Sequence, residues 1–356
     1  MGDAPQRTTL VGIQYLRALA ALLVLVAHAR NPRPWLFNPL TGWDFTAGVE
    51  IFFVISGVIM FAAARDDSPL EFARRRVIRV VPLYWLATLS FVAWLAYRDL
   101  DLPSGRDLAL SLLMIPHESE SYTGHIWPVL VPGWTLNYEM FFYGVFALGL
   151  AVRRVAAFSM GALVLAVTAG FVLSPDQAVL KTYTSPILLA FLAGLIIAWA
   201  RDRVAGFDRA WPLAPLGAVV LAAHFTPWVL LPKLAVIVAS GALVAGVMAL
   251  ETRLRDRPVR PALALADASY AIYLFHTLVL AVVYWRGKPL PLDGWPQFLV
   301  LMALGIGLSI AVGLAIHRWL ERPLLRKLNR LGRPGPRTAS SSRAPDGGAA
   351  ASQARS

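Results

Sequence analysis

Apolar residues in this chain gather into long runs instead of alternating with polar ones, and arginines, prolines or glycines close most of the runs. The first, VGIQYLRALAALLVLVAHA from Val11 to Ala29, is long enough to cross a bilayer as an α-helix. Similar runs follow, and together they predict about ten spans. These cover 11–29, 47–64, 81–97, 133–152, 155–173, 185–200, 211–229, 232–250, 267–285 and 297–318. The stretch 106–116 is apolar but too short to cross, and reads as an interfacial or re-entrant piece. Prolines and glycines inside the spans are tolerable where neighbouring helices satisfy the freed backbone groups. The predicted fold is an all-α, polytopic transmembrane bundle over residues 1–330. Residues 331–356, rich in Pro, Gly, Ser, Ala and Arg, are expected to form a disordered tail.

Basic residues give the bundle a direction. With the N-terminus in the cytoplasm, the inner loops hold Arg65, Arg74, Arg75, Arg76, Arg79, Arg153 and Arg154, and the groups around Arg201 and Arg255. Only eight of the 33 Lys and Arg fall in outer loops: Arg30, Arg33, Arg98, Arg106, Lys181, Lys233, Arg286 and Lys288. That bias follows the positive-inside rule and puts both termini in the cytoplasm of a multi-pass cell-membrane protein whose first partner is the lipid bilayer. The formal net charge of +12 is then a topological signal and requires no nucleic acid. Composition agrees, since charged residues make up 15% of the chain against about 25% in soluble proteins. The first run is too long for a cleavable signal peptide and lacks an A-x-A-like site. Absence of cysteine excludes disulfides, thiolate metal sites and a cysteine nucleophile. His117, His125, His224 and His317 lie near span ends without metal-ligand spacing, so neither a metal nor a permanently bound cofactor is expected.

Charge buried in the apolar runs is the chemical signal. Arg17 and His28 lie eleven residues apart, which puts them within roughly 20° of one helical face and about 16 Å apart along the axis. Neither side chain is tolerable facing lipid, so the face points into the bundle. Imidazole is matched to removing a hydroxyl proton near neutral pH, and acyl transfer also needs a donor or cation for the developing oxyanion. Glu50 opens the second span and Glu139 lies a turn and a half into the fourth. Both are expected beside His28 in the outer half, completing an intramembrane Arg–Glu–His set. On the cytoplasmic side, EFARRRVIRVVPLYW puts Arg76 and Arg79 on one helical face, ahead of Pro82, Tyr84 and Trp85. Two guanidiniums so placed match phosphate oxygens, while such a run also serves as juxtamembrane positive charge, and both readings stand. Ser269, Tyr273 and His276 share a face of the ninth span, either as bundle packing or as a channel wall. Ser56-Gly57 reads as close packing by small residues. Tryptophans near span ends form interfacial belts, and those between 117 and 134 are candidates for stacking on sugar rings.

Five segments in order carry a resemblance over residues 10–325: IQYLRALAALLVLVAHA, GVEIFFVISGVIM, FARRRVIRVVPLYW, PGWTLNYEMFFYGVF and ASYAIYLFHTLVL. The chain resembles the acyltransferase 3 family of integral-membrane acyltransferases, and its opening is most similar to members that acetylate bacterial exopolysaccharides. The resemblance implies acyl transfer from cytoplasmic acyl-CoA, acetyl-CoA first, to a hydroxyl of an extracytoplasmic or lipid-linked carbohydrate, with polysaccharide-synthesis proteins as further partners. It implies catalytic roles for His28, Arg17 and Glu139, and an acyl-CoA site built from Arg75, Arg76, Arg79 and Tyr84. Glu50, Ser56, Trp134, Tyr143, Tyr273 and His276 become candidates for the acceptor site or channel. Many relatives carry Asp where this chain has Glu50, and W-S-L-x-x-E where it reads Trp134-Thr135-Leu136-Asn137-Tyr138-Glu139. Some also append an extracytoplasmic SGNH-type domain; without one, the acyl group is expected to pass directly to the acceptor or to a separate partner. Two alternatives remain: a transporter or flippase of a lipid-linked glycan, and an acyltransferase acting on a small antibiotic or lipid. No internal repeat is visible to favour the transporter.

Overall fold

A computed structural model of the chain describes residues 10–30, 33–64 and 66–331; Arg65 and the tail beyond residue 331 lie outside the described residues. The regular elements are helical. First come α1 (Val11–Ala29), α2 (Gly48–Ala64), α3 (Pro69–Tyr97) and the short α4 (Gly105–Leu112). Then follow α5 (Trp134–Ala151), α6 (Val155–Leu173), α7 (Ala178–Tyr183), α8 (Leu188–Arg201) and α9 (Leu213–Phe225). The chain continues through α10 (Lys233–Ala249), α11 (Glu251–Asp256), α12 (Arg260–Gly287) and α13 (Gly294–Ile316), then a π-helical turn (His317–Glu321) and α14 (Arg322–Leu331).

Among the described residues, six helical tracts are long and apolar enough to cross a membrane: Val11–Ala29, Pro69–Tyr97, Val155–Leu173, Ala178–Arg201, Arg260–Gly287 and Gly294–Arg330. The other four expected spans are α2, α5, α9 and α10, helices of 17, 18, 13 and 17 residues. At about 1.5 Å per residue these reach roughly 20–27 Å, less than the ~30 Å of a hydrocarbon core. Several spanning helices turn apolar side chains outward: Leu165, Phe171, Val172 and Leu173 on α6 are each at least 69% exposed, a surface suited to lipid tails.

Two close approaches set the frame of the site. Gly57 on α2 and Gly194 on α8 meet backbone to backbone. A Cβ would lie 2.4 Å from the Phe191 carbonyl oxygen at the first position and 2.0 Å from that of Val54 at the second, so only glycine fits. The small-residue crossing expected at Ser56-Gly57 is therefore made by Gly57. The second approach involves α4. Its Ser104 cap accepts from the Asp107 amide at 3.1 Å, and the turn that follows is tied to the middle of α3. The Tyr84 hydroxyl donates to the Ser111 carbonyl at 2.9 Å and Trp85 Nε1 to that of Leu112 at 2.8 Å. Tyr84 stands fifteen residues beyond the first residue of the 29-residue α3, so the turn after α4 packs against the middle of that helix. A Cβ on Gly133 would meet the Tyr84 ring at 2.6 Å, which lets the chain pass beneath that ring and start α5 from the same depth.

Candidate active site

Helices α1, α2, α3, α5 and α12 enclose a cavity of about 320 Å³. Its polar wall carries three guanidiniums, from Arg17, Arg76 and Arg79, and one carboxylate, Glu139, with Ser56, Thr135, Tyr143, Ser269, Tyr270 and Tyr273 between them. Phe52, Phe53, Ile55, Ile59, Met60 and Val80 supply the apolar wall. Arg17 is tied on both sides: Nη1 donates to Gln14 Oε1 at 3.0 Å and Nη2 to Ser269 Oγ at 2.9 Å. Glu139 Oε1 accepts from Ser56 Oγ at 3.2 Å and from the Tyr143 hydroxyl.

The two arginines of the Arg-x-x-Arg pair differ in their partners. Arg79 is anchored. Its Nη1 pairs with Glu321, a carboxylate 2% exposed on the π-helical turn, whose second oxygen accepts from His317 Nδ1 at 2.7 Å. The Arg79 guanidinium also lies 5.7 Å from the centre of the Tyr270 ring, and the Tyr270 hydroxyl donates to the Val80 carbonyl at 2.8 Å. Arg76 pairs with no carboxylate among the described residues. Its guanidinium rests against the rings of Phe72 and Tyr143, at 5.4 and 5.8 Å, and its buried Nε makes no hydrogen bond. One cation on the cavity wall is thus uncommitted, and the wall as a whole suits an anion.

Farther along α12 the wall becomes uncharged. The Tyr273 hydroxyl donates to the Pro132 carbonyl at 2.8 Å and lies 2.7 Å from Thr135 Oγ1, and both side chains line the cavity. His276 follows, its ring centre 6.0 Å from that of Tyr273, and His28 on α1 packs against it edge to face at 4.8 Å. His28 itself does not line the cavity. Its Nδ1 lies 2.9 Å from the Val24 carbonyl oxygen, which can only accept, so in the neutral ring Nδ1 carries the proton and Nε2 the lone pair.

The structure sorts the sequence expectations by place. Arg17, Ser56, Arg76, Arg79, Glu139, Tyr143 and Tyr273 meet around one cavity, and His276 and His28 continue from it. The expected Arg–Glu–His set beside His28 is corrected. Glu50 is fully buried and paired with Lys233 of α10, and Glu139 shares with the arginines a cavity that His28 does not line. Two members of the expected donor set also lie elsewhere. Arg75 pairs with Asp67 and Glu71 at the start of α3, and Tyr84, fully buried, holds the turn after α4. Trp134 packs edge-on against Tyr138, 5.7 Å away, and does not reach the cavity. In the 117–134 loop Trp127 stacks on His125 at 3.9 Å. Tyr270, Thr135 and the Glu321–His317 pair were not anticipated. A lone glutamate in an otherwise basic stretch, four residues after a histidine, was the available signal for the last.

Comparison with known proteins adds three findings. The model of the acyltransferase 3 family, described as an acyltransferase domain, matches residues 10–314. The exopolysaccharide production protein ExoZ of Rhizobium meliloti (strain 1021) is 40% identical over 306 residues, a stretch covering 81% of this chain and 92% of that protein. No solved structure matches.

Proposed function

The chain belongs to the acyltransferase 3 family and is an O-acyltransferase, and from that premise we propose that it carries an acetyl group from cytoplasmic acetyl-CoA to a hydroxyl of an exopolysaccharide or its lipid-linked precursor beyond the inner membrane. The observation that carries the reading is the cavity wall, with its uncommitted Arg76 at the basic end and the uncharged Tyr273 at the other, next to which His276 and then His28 are packed. The coenzyme's phosphates dock at Arg76, and its slender arm extends past Arg17 and Ser269. A cavity of about 320 Å³ lies at the small end of ligand pockets, ~300–1,000 Å³, which suits the arm better than the nucleotide.

The reaction needs a base where the thioester arrives, and His28 Nε2 supplies the lone pair. It takes the acceptor's proton as the hydroxyl oxygen bonds to the thioester carbonyl carbon. Collapse of the tetrahedral intermediate breaks the carbon–sulfur bond, and the leaving thiolate takes the proton back from the imidazolium. Arg17, about 16 Å from His28 along α1 and held by Gln14 and Ser269, binds the donor and does not stabilise the oxyanion. Sealed inverted vesicles test the proposal. Labelled acetyl-CoA added outside, at the cytoplasmic face, should acylate lumenal glycan, and His28→Ala should lower that labelling ~10²-fold or more at equal protein level. Absence of both binding and turnover of acetyl-CoA by the purified protein would sink the reading.

A further inference from the structure

His276 is buried on α12 with 1% exposure, and its Nδ1 lies 2.6 Å from the Tyr273 carbonyl oxygen one turn back. A carbonyl only accepts, so Nδ1 carries the proton and the lone pair is left on Nε2. Nε2 is buried and makes no hydrogen bond among the described residues. A buried acceptor left unmade bears the full desolvation penalty, and such atoms in native folds call for an explanation. Packing alone does not provide one. A leucine or phenylalanine would fill this apolar stretch between Ile272 and Leu280 without stranding a polar atom. The stranded atom belongs to a ring 4.8 Å from that of His28, whose own Nδ1 is committed to Val24 in the same way. In their neutral forms the two imidazoles each carry a lone pair on Nε2, and they stand side by side beyond Tyr273, the last residue of α12 on the cavity wall.

We propose that His276 is a specificity-determining residue for the acyl acceptor: its Nε2 accepts a hydrogen bond from a second hydroxyl of the sugar, and so selects which hydroxyl is presented to His28. The inference rests on the acyltransfer reading above and adds to it a substrate class, a polyol offering two neighbouring hydroxyls, and the residue that chooses between them. A lone alcohol would leave Nε2 stranded and be disfavoured, since sites built to hydrogen-bond a substrate group reject analogues that lack it.

Two isosteric halves of the imidazole separate this role from a structural one. Glutamine reaches as far as Nε2 and restores an acceptor there while giving up the bond to Tyr273. Asparagine reaches as far as Nδ1, keeping that bond while losing the acceptor. The host strain deleted for the gene is complemented with wild type, His276→Gln or His276→Asn at matched membrane levels, and the acyl esters on its exopolysaccharide are mapped by two-dimensional NMR. The purified proteins are assayed with acetyl-CoA and oligosaccharides of the same polysaccharide after base deacylation. The glutamine variant should keep the wild-type ester position and stay within about threefold of wild-type kcat/KM. The asparagine variant should lose about tenfold, mainly through KM for the oligosaccharide, and scatter esters over more than one hydroxyl. Equal behaviour of the two variants, whether both active or both inactive, or better activity from asparagine, overturns the proposal. Unchanged ester content on gene deletion would instead bring down the acyltransfer reading, and this inference with it.

Discussion

Replacing Arg76 by alanine should weaken coenzyme A binding about 100-fold while leaving the bundle folded. The structure separates the two effects. The guanidinium lies over the rings of Phe72 and Tyr143, at 5.4 and 5.8 Å, and no carboxylate among the described residues loses a partner when it goes. Exposed cation–π contacts are worth roughly 0.5–1 kcal/mol each, which bounds the stability cost at about 2 kcal/mol. Against a phosphate the same group offers a bidentate, charge-assisted pair. Such a bond contributes about 1.5–3 kcal/mol, and 2.7 kcal/mol is roughly 100-fold in Kd. Lysine keeps the charge but not the fork, so Arg76→Lys should recover only part, leaving a deficit of about tenfold. Titration calorimetry of coenzyme A into the detergent-purified protein, at two salt concentrations, reads both numbers and should show a shallower salt dependence for the alanine variant. A wild-type Kd in Arg76→Ala would leave the arginine as a topological charge and nothing more.

Removing Arg79 should act on stability first. It leaves the buried Glu321 with His317 alone, a loss of about 1–3 kcal/mol, below the 3–5 kcal/mol of a fully buried pair because Arg79 is 30% exposed. Thermal melting should fall in Arg79→Ala and recover partly when Glu321→Gln is added; simple additivity of the two losses would mean that the pair is not coupled. Gly57→Ala should force α2 away from α8, since its Cβ would sit 2.4 Å from the Phe191 carbonyl oxygen. A destabilisation of about 1–3 kcal/mol or more and lowered acetyl-CoA turnover are expected, through displacement of the neighbouring Ser56, and an unchanged melting temperature would refute the crossing geometry.

Helix positions were legible wherever apolar character and helix coincide. The predicted 11–29 and 155–173 match α1 and α6 to the residue. They diverge at α3, expected from 81 but starting at Pro69, because EFARRRVIRVV is a helix too polar for lipid, and hydropathy marks the lipid and not the helix. The faces of single helices were also readable: Arg17 with His28 on α1, Ser269 with Tyr273 and His276 on α12. Which faces meet is a tertiary fact. The ion pair between Arg79 and Glu321 joins residues 242 apart in the chain, and nothing local marks them as partners. Glu50 illustrates the reverse failure. Its place at the start of α2 suggested a neighbour of His28, yet a lysine from α10 reaches it first and neutralises it. Glu139 shares its cavity with Arg17, Arg76 and Arg79, and nothing in the hydropathy of α5 marks those partners.

The order of groups along the site bears on how an acyl group leaves its carrier without the carrier following. The guanidiniums of the cavity wall stand on its side toward Ser269, and the wall beyond carries the hydroxyls of Thr135 and Tyr273, with the rings of His276 and His28 packed behind them. A phosphate that advanced past Tyr273 would exchange charged partners for neutral ones in a low-dielectric interior, a cost of several kcal/mol even after relaxation. The thioester end of the proposed donor has no such cost, because its groups are uncharged and the hydroxyls can meet its polar atoms. The same interior favours a neutral base. An imidazole that is uncharged at rest and charged only while holding the acceptor's proton limits the charge present to the moment of reaction, whereas a carboxylate in its place would require a permanent counter-ion. Both carboxylates expected beside His28 have instead been given partners elsewhere, Glu50 by Lys233 and Glu139 by Ser56 and Tyr143. On the proposed reading, selection between nucleotide and acyl group is therefore electrostatic, set by where the guanidiniums of the cavity wall stop and not by a moving gate.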